Sequence, residues 1–158
     1  MDVFGLITSK PVLVGLHLGF AIVGIDALLW LLGEIVANTK EFIRHRMAAF
    51  IAVLGFLLSW MFGGYYYVVF YGTLVKPEIK AGVAPWVHSI VMETKEHIFL
   101  FVLPLALTTL FLTLLSKESF EKLRLKTVSL LLLLVNVGIA FLIGAMGFMI
   151  SATARWGT

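Results

Sequence analysis

The stretch PVLVGLHLGFAIVGIDALLWLLG, residues 11–33, decides the class of fold. It is long enough to cross a hydrocarbon core as a helix, which needs about 20 residues. Three more apolar runs follow, at residues 48–71, 97–115 and 127–150. Backbone polar groups in lipid must be satisfied within one element, and the runs do not alternate like barrel strands. The sequence therefore predicts an all-α membrane protein in which residues 1–158 form a single domain of four transmembrane helices.

The composition limits the domains and the cofactors that this chain can have. Of the 158 residues, 61% are hydrophobic and 13% are charged, which leaves no room for a separate soluble domain. The chain has no cysteine, which excludes disulfides, thiolate-held zinc, iron–sulfur clusters and a covalently attached c-type haem. No nucleotide-binding loop, nucleophile elbow or catalytic carboxylate pair is present, so we do not expect independent hydrolytic or phosphoryl chemistry.

The basic residues predict the topology. Two short connections hold most of them: Lys40, Arg44 and Arg46 in the first, and Lys117, Lys122, Arg124 and Lys126 in the second. Short loops rich in Lys and Arg stay cytoplasmic, so the net charge of +3 needs no nucleic acid to explain it. We expect an up-down-up-down bundle in the cytoplasmic membrane of a prokaryote, with lipid around it and both termini and the loop at residues 72–96 outside.

Two histidines suggest a cofactor. Counted from the cytoplasmic ends of their spans, His17 and His97 both lie roughly 24 to 27 Å above the inner edge. They belong to the first and third helices, which are diagonal in such a bundle. Two imidazoles that meet in the interior are a ligand set for a b-type haem.

A flat macrocycle also needs helix faces with little side-chain bulk. Small residues lie below His17 and at comparable depth on other helices, and two aromatic side chains are candidates to wall the pocket or to hydrogen-bond a haem propionate or a quinone. The full set is Ala21, Gly24, Gly63, Tyr66, Phe101, Gly144 and Gly147.

A bare metal is the alternative to haem. Glu93 precedes His97 by four residues and shares its helix face, so Glu93, His97 and His17 form a set able to hold a divalent transition metal. Met146 adds a soft ligand suited to copper. A third possibility is a structural subunit that anchors a larger complex.

Other polar residues have less defined roles. Asp26 lies in the middle of the first span, and we expect it to join a buried polar cluster with Asn136, as a proton relay or as a hydrogen bond between helices. His88 is expected to be a surface histidine, or a replacement for His97 as a ligand. His45 lies among arginines in a predicted cytoplasmic loop and receives no role.

The sequence LHLGFAIVG, residues 16–24, places a histidine near the start of the first span and a glycine seven residues later. In this it resembles small haem-binding membrane proteins of the copper-resistance D and protoporphyrinogen-oxidase-J-like families. The resemblance implies that His17 is a haem ligand. The pair of histidines, His17 and His97, leads us to expect a b-type cytochrome that passes electrons between a membrane quinol pool and an extracytoplasmic redox partner. We expect an electron-transfer protein or subunit rather than an independent enzyme.

Overall fold

The chain is all-helical in this computed structural model, which describes residues 3–39 and 41–157. Within these ranges there is no strand, and the helices are α1 Val3–Ile7, α2 Lys10–Val36, α3 Phe42–Ala81, α4 Val87–Leu114, α5 Lys117–Lys122 and α6 Lys126–Trp156. Lys40, one of the basic residues behind the topology prediction, lies outside the described residues.

Four of these helices, α2, α3, α4 and α6, are long and apolar enough to cross a membrane. This confirms the four predicted helical spans. The predicted runs lie within the helices or end one residue past them, and α3 is far longer than its run. Its 40 residues reach about 60 Å at 1.5 Å per residue, twice the thickness of a hydrocarbon core of about 30 Å.

The hydrogen-bond pattern changes inside two of the long helices. In α3, residues Tyr67–Val75 form a π-helix between α-helical segments, and α4 begins with a π-helical segment, Val87–Met92. A further change, to a short 3₁₀ segment at Phe99–Phe101, comes just before Pro104, which has no N–H to donate. π-Helical turns are rare and occur frequently at functional sites.

The four long helices pack in a ring, α2 on α3, α3 on α4, α4 on α6, and α6 on α2, so that α2 and α4 are diagonal. Small side chains allow the close approach: Ala48, Ala49, Ala52 and Ala106 are fully buried against leucines of α2 and α6. At Gly55 a Cβ atom would lie 2.8 Å from the backbone nitrogen of Gly24, so α2 and α3 touch through their backbones there.

The two ends of the bundle differ. We call the end with the connections at residues 37–41 and 115–125 the basic end. The opposite end, with residues 67–92 and the last turns of α6, we call the tyrosine end. A second core lies at the tyrosine end and consists of Tyr71, Val75, Ile79, Val87, Val91, Met92 and Ile150. There the Val83 N–H donates to the Gly157 carbonyl oxygen at 2.8 Å, which fixes the turn between α3 and α4 against the end of α6.

Candidate functional site

His17 is held in one orientation by α3. Its Nδ1 lies 2.8 Å from the Ser59 carbonyl oxygen, and the Ser59 hydroxyl donates to the His17 carbonyl oxygen at 2.9 Å. A carbonyl oxygen can only accept, so we assign the ring proton to Nδ1. Nε2 then carries a lone pair, and within residues 3–39 and 41–157 it has no hydrogen-bond partner. A histidine whose Nδ1–H is tied to a carbonyl while Nε2 stays open is typical of a metal or haem ligand.

The glycine at position 63 makes room for this ring. A Cβ atom there would lie 2.5 Å from His17 Nδ1, well inside van der Waals contact. The adjacent Gly64 has open space at its Cβ position. Of the two glycines, only Gly63 is required by the histidine.

Lys95 of α4 points toward α6 and lies near His17. Its side chain is half-buried, lies within electrostatic reach of the His17 ring, and places its Cε 3.6 Å from where a Cβ on Gly147 would lie. A lysine inside a membrane span is costly and marks a functional site by default. Its inward position was not expected from the sequence.

His97 lies on an exposed face of α4 instead of in the interior. Its Nδ1–H donates to the Glu93 carbonyl oxygen at 2.6 Å, so its Nε2 points away from the backbone. Residues 95 and 97 are about 200° apart around a helix, so an inward Lys95 turns His97 outward. The described contacts therefore do not bring His17 and His97 together as a pair of facing ligands.

A chain of polar groups runs through the tyrosine end. The Tyr71 hydroxyl lies 2.9 Å from His88 Nδ1, and both side chains are buried, at 3% and 4% exposure. His88 Nε2 lies 3.7 Å from a Glu93 carboxylate oxygen, and the Glu93 side chain is half exposed. We call Tyr71, His88 and Glu93 the Tyr71 relay. His88 was expected at the surface, and the π-helical start of α4 buries it instead.

Two more residues connect the relay to Lys95. The Tyr67 ring stacks on Tyr71 with centroids 5.3 Å apart, and Tyr67 also lies beside the Glu96 carboxylate. Glu96 follows Lys95 directly, and its Oε1 is buried with no hydrogen-bond partner in the described part of the chain. A buried polar atom without a partner requires an explanation, such as a ligand or an ion.

The other residues expected around a haem are spread over several environments. Gly24 is covered by the Phe56 ring, 2.9 Å from a Cβ position, and Ala21 is half-buried. Gly144 and Phe101 are exposed, with open space around Gly144. Only Gly63 and Gly147 lie beside inward polar groups.

Tyr66 and Met146 are half-buried and pack on the second core, and the Tyr66 ring lies 5.9 Å from that of Phe70. In the described ranges no three His, Cys, Asp or Glu side chains come close enough to hold a metal ion, so His17, Glu93 and His97 are not assembled as one ligand set.

Asp26 and Asn136 are not brought together either. Asp26 is exposed on the outside of α2, whereas Asn136 is completely buried and its amide nitrogen and oxygen have no partner in the described residues. The expected buried cluster around Asp26 is therefore absent there. Asp26 follows His17 by nine residues, which turns it to the opposite helix face.

Glu34 organises a polar network at the basic end. It is buried, accepts from Trp30 Nε1 at 2.9 Å and from the Thr39 hydroxyl at 2.5 Å, and pairs with Arg44 at 2.5 Å. His45, which received no role from sequence, is buried and lies 3.1 Å from the same hydroxyl. The signal was present in the sequence as an acidic residue directly after the first apolar run, followed by an arginine ten residues later.

Four helices long and apolar enough to span a bilayer, with charged side chains held inside the bundle, define the class of integral membrane proteins. No protein-family model, curated protein or solved structure matches this chain.

Proposed function

We propose that this chain is a membrane electron-transfer protein of the b-cytochrome type that exchanges electrons with quinol near the tyrosine end. The observation that supports this most is the His17 geometry: Nδ1–H is held by the Ser59 carbonyl oxygen at 2.8 Å, and Nε2 has no hydrogen-bond partner among the described residues. Lys95 lies within electrostatic reach of the ring. Of the two expected haem ligands, His17 has the geometry of an axial ligand. His97 is exposed and does not face the interior, so we assign His17 alone as the protein ligand.

Each polar group near the proposed haem would have a separate role. When bound, a haem supplies reversible one-electron transfer. His17 would hold and orient it, and the Lys95 ammonium, within electrostatic reach of His17, would favour the more negatively charged, reduced state. Quinol oxidation releases protons as well as electrons, and the Tyr71 relay provides titratable groups from the interior to the half-exposed Glu93. The gap of 3.7 Å between His88 and Glu93 is longer than a hydrogen bond, so proton transfer along the relay requires the half-exposed carboxylate to move closer to the ring.

We further infer an up-down-up-down arrangement with both termini outside and the basic end in the cytoplasm of a prokaryote. In support, contacts between consecutive helices pair residues in reversed order. Arg46 Nε donates to the Thr113 carbonyl oxygen, the rings of Trp60 and Phe99 lie 6.4 Å apart, and Tyr71 meets His88. The basic connections have the composition of cytoplasmic loops.

The chain suits a direct test of this topology because it has no cysteine. Single Ser119→Cys and Val83→Cys variants, both at exposed or half-exposed positions of opposite ends, are treated in intact cells with a membrane-impermeant maleimide. We expect labelling of the cysteine at position 83 only, and labelling of position 119 only after lysis. The reverse pattern overturns the orientation.

The haem proposal is tested on protein purified from cells supplied with haem. We expect the optical spectrum of a b-type haem and about one haem per chain, lost in His17→Ala and kept in the matched control His97→Ala. Loss of haem in His97→Ala alone contradicts the revised ligand assignment. If elemental analysis finds copper or zinc and the spectrum shows no porphyrin, the haem proposal is wrong and the chain is a metal-binding protein. If the protein is colourless and metal-free, the haem proposal is also wrong, and a structural subunit is the remaining interpretation.

A further inference from the structure

A cavity of about 380 Å³ lies at the basic end, far from His17. All four long helices and the short helix α5 contribute to its wall. Cavities of about 300 to 1,000 Å³ are the size that holds small ligands. The electron-transfer proposal makes no use of this space.

One part of the wall is apolar and the other is cationic. Leu31, Ile35 and Phe120 line the apolar part, while Lys117, Arg124 and Lys126 line the part next to the connections, with Glu121 as the only carboxylate on the wall within the described residues. An apolar wall beside a group of cations fits an amphiphile with an anionic head group.

The three cationic side chains of the cavity wall differ in whether they already have a hydrogen-bond or ion-pair partner. Lys117 lies 3.8 Å from Glu121, and the Lys126 ammonium donates to the Asn38 side-chain oxygen. No ion pair or side-chain hydrogen bond within residues 3–39 and 41–157 engages the Arg124 guanidinium. Its backbone is in the left-handed region, with φ of 52°, which is uncommon for a residue that is not glycine. A guanidinium binds phosphate oxygens in a bidentate manner.

A hydroxyl group inside the cavity also lacks a partner. Ser129 is 3% exposed, lines the cavity, and its Oγ has no hydrogen-bond partner in the described chain. The two buried threonines of the same wall, Thr109 and Thr113, satisfy their hydroxyls with carbonyl oxygens of α4. Ser129 is therefore the hydroxyl that remains for an oxygen atom of a ligand.

We propose that this cavity binds one anionic phospholipid of the surrounding leaflet, with its phosphate on Arg124 and its ester or glycerol oxygens on Ser129. The acyl chains contact Leu31, Ile35 and Phe120. The neighbouring Arg44 is paired with Glu34 and does not compete for the phosphate.

The test uses the purified full chain in a mild detergent and native mass spectrometry, with phosphatidylglycerol, phosphatidylcholine of the same acyl chains, or inorganic phosphate as the added probe. We expect one tightly retained phosphatidylglycerol per chain, bound about tenfold or more tightly than phosphatidylcholine, and little competition from phosphate. Equal retention of the two lipids overturns the proposal. Displacement of the lipid by millimolar phosphate also overturns it, because the site then recognises the free anion.

Variants locate the site. Arg124→Gln is expected to weaken phosphatidylglycerol binding about tenfold. Lys122→Gln, at an exposed lysine two residues away that does not line the cavity, is expected to leave it unchanged. Ser129→Met, which removes the hydroxyl and places a larger apolar side chain in the cavity, is expected to weaken retention at least as strongly as Arg124→Gln. Equal effects of Arg124→Gln and Lys122→Gln refute the assignment. If Ser129→Met does not fold, Ser129→Ala serves instead, and unchanged lipid binding in that variant refutes the role of the hydroxyl.

Discussion

Gly63→Ala tests the packing of His17 directly. The added methyl group would lie 2.5 Å from His17 Nδ1, so the ring must move about 0.9 Å to reach an ordinary contact of 3.4 Å. A shift of that size along the bond stretches the distance from Nδ1 to the Ser59 carbonyl oxygen from 2.8 Å to about 3.7 Å, beyond a hydrogen bond. The substitution therefore removes the interaction that orients His17.

The energetic cost follows from two effects. Overpacking of a closely packed site costs about 1 to 3 kcal/mol, and a lost interhelical hydrogen bond in a membrane protein about 0.6 and up to about 1.7 kcal/mol. Gly64→Ala is the matched control, because it gains the same helix propensity and its methyl group enters open space. We expect Gly63→Ala to be less stable than Gly64→Ala by about 2 to 5 kcal/mol.

Stability is measured by unfolding in mixed micelles with increasing dodecyl sulfate, followed by tryptophan fluorescence. Haem retention is measured on the same samples and is expected to fall only in Gly63→Ala. If the two variants unfold within about 0.5 kcal/mol of each other, the His17 ring does not lie against Gly63 and the proposed ligand geometry is refuted.

Three further substitutions test other contacts by the same unfolding assay. Gly55→Ala places a methyl group against the backbone of α2 and should destabilise the chain by about 1 to 3 kcal/mol, so a neutral effect would mean that the two backbones are farther apart. Tyr71→Phe leaves the buried His88 ring without its partner and should cost about 1 to 3 kcal/mol; no loss would show that the relay is not formed. Asn136→Leu removes two buried polar atoms without partners and should raise stability by about 1 kcal/mol or more, whereas a loss would reveal that the amide is satisfied in the membrane.

Hydrophobicity was sufficient to predict the four spans but not their full lengths. The second run was predicted at residues 48–71, while α3 covers Phe42–Ala81. Its first turns hold Arg44, His45 and Arg46, and its last turns hold two lysines, so hydropathy does not detect them as part of a span. These turns are helical because they pack at the two ends of the bundle, which is a tertiary effect.

The candidate site was predicted in part. The inward direction of His17 follows from its place in the first run, and Gly63 was expected at comparable depth. The contact of His17 with Ser59 was not predicted. The inward position of Lys95 and the burial of His88 do not follow, because the π-helical segment Val87–Met92 changes which residues share a face. A pattern with 3.6 residues per turn cannot reveal such a segment.

The outward position of Asp26 has a consequence for how the chain enters the bilayer. On insertion scales an aspartate near a helix centre costs about 2.5 to 3.5 kcal/mol, while each Val, Leu, Ile or Phe contributes about −0.3 to −0.6 kcal/mol. Residues 11–33 hold thirteen of these apolar side chains, or about 4 to 8 kcal/mol in favour of insertion, so the translocon can release the segment into lipid with its carboxyl group still there. In the folded bundle the Asp26 side chain still lies on the outer surface of α2. Binding of another transmembrane helix with a hydrogen-bond donor at that depth would offset the free-energy cost of inserting this carboxyl group.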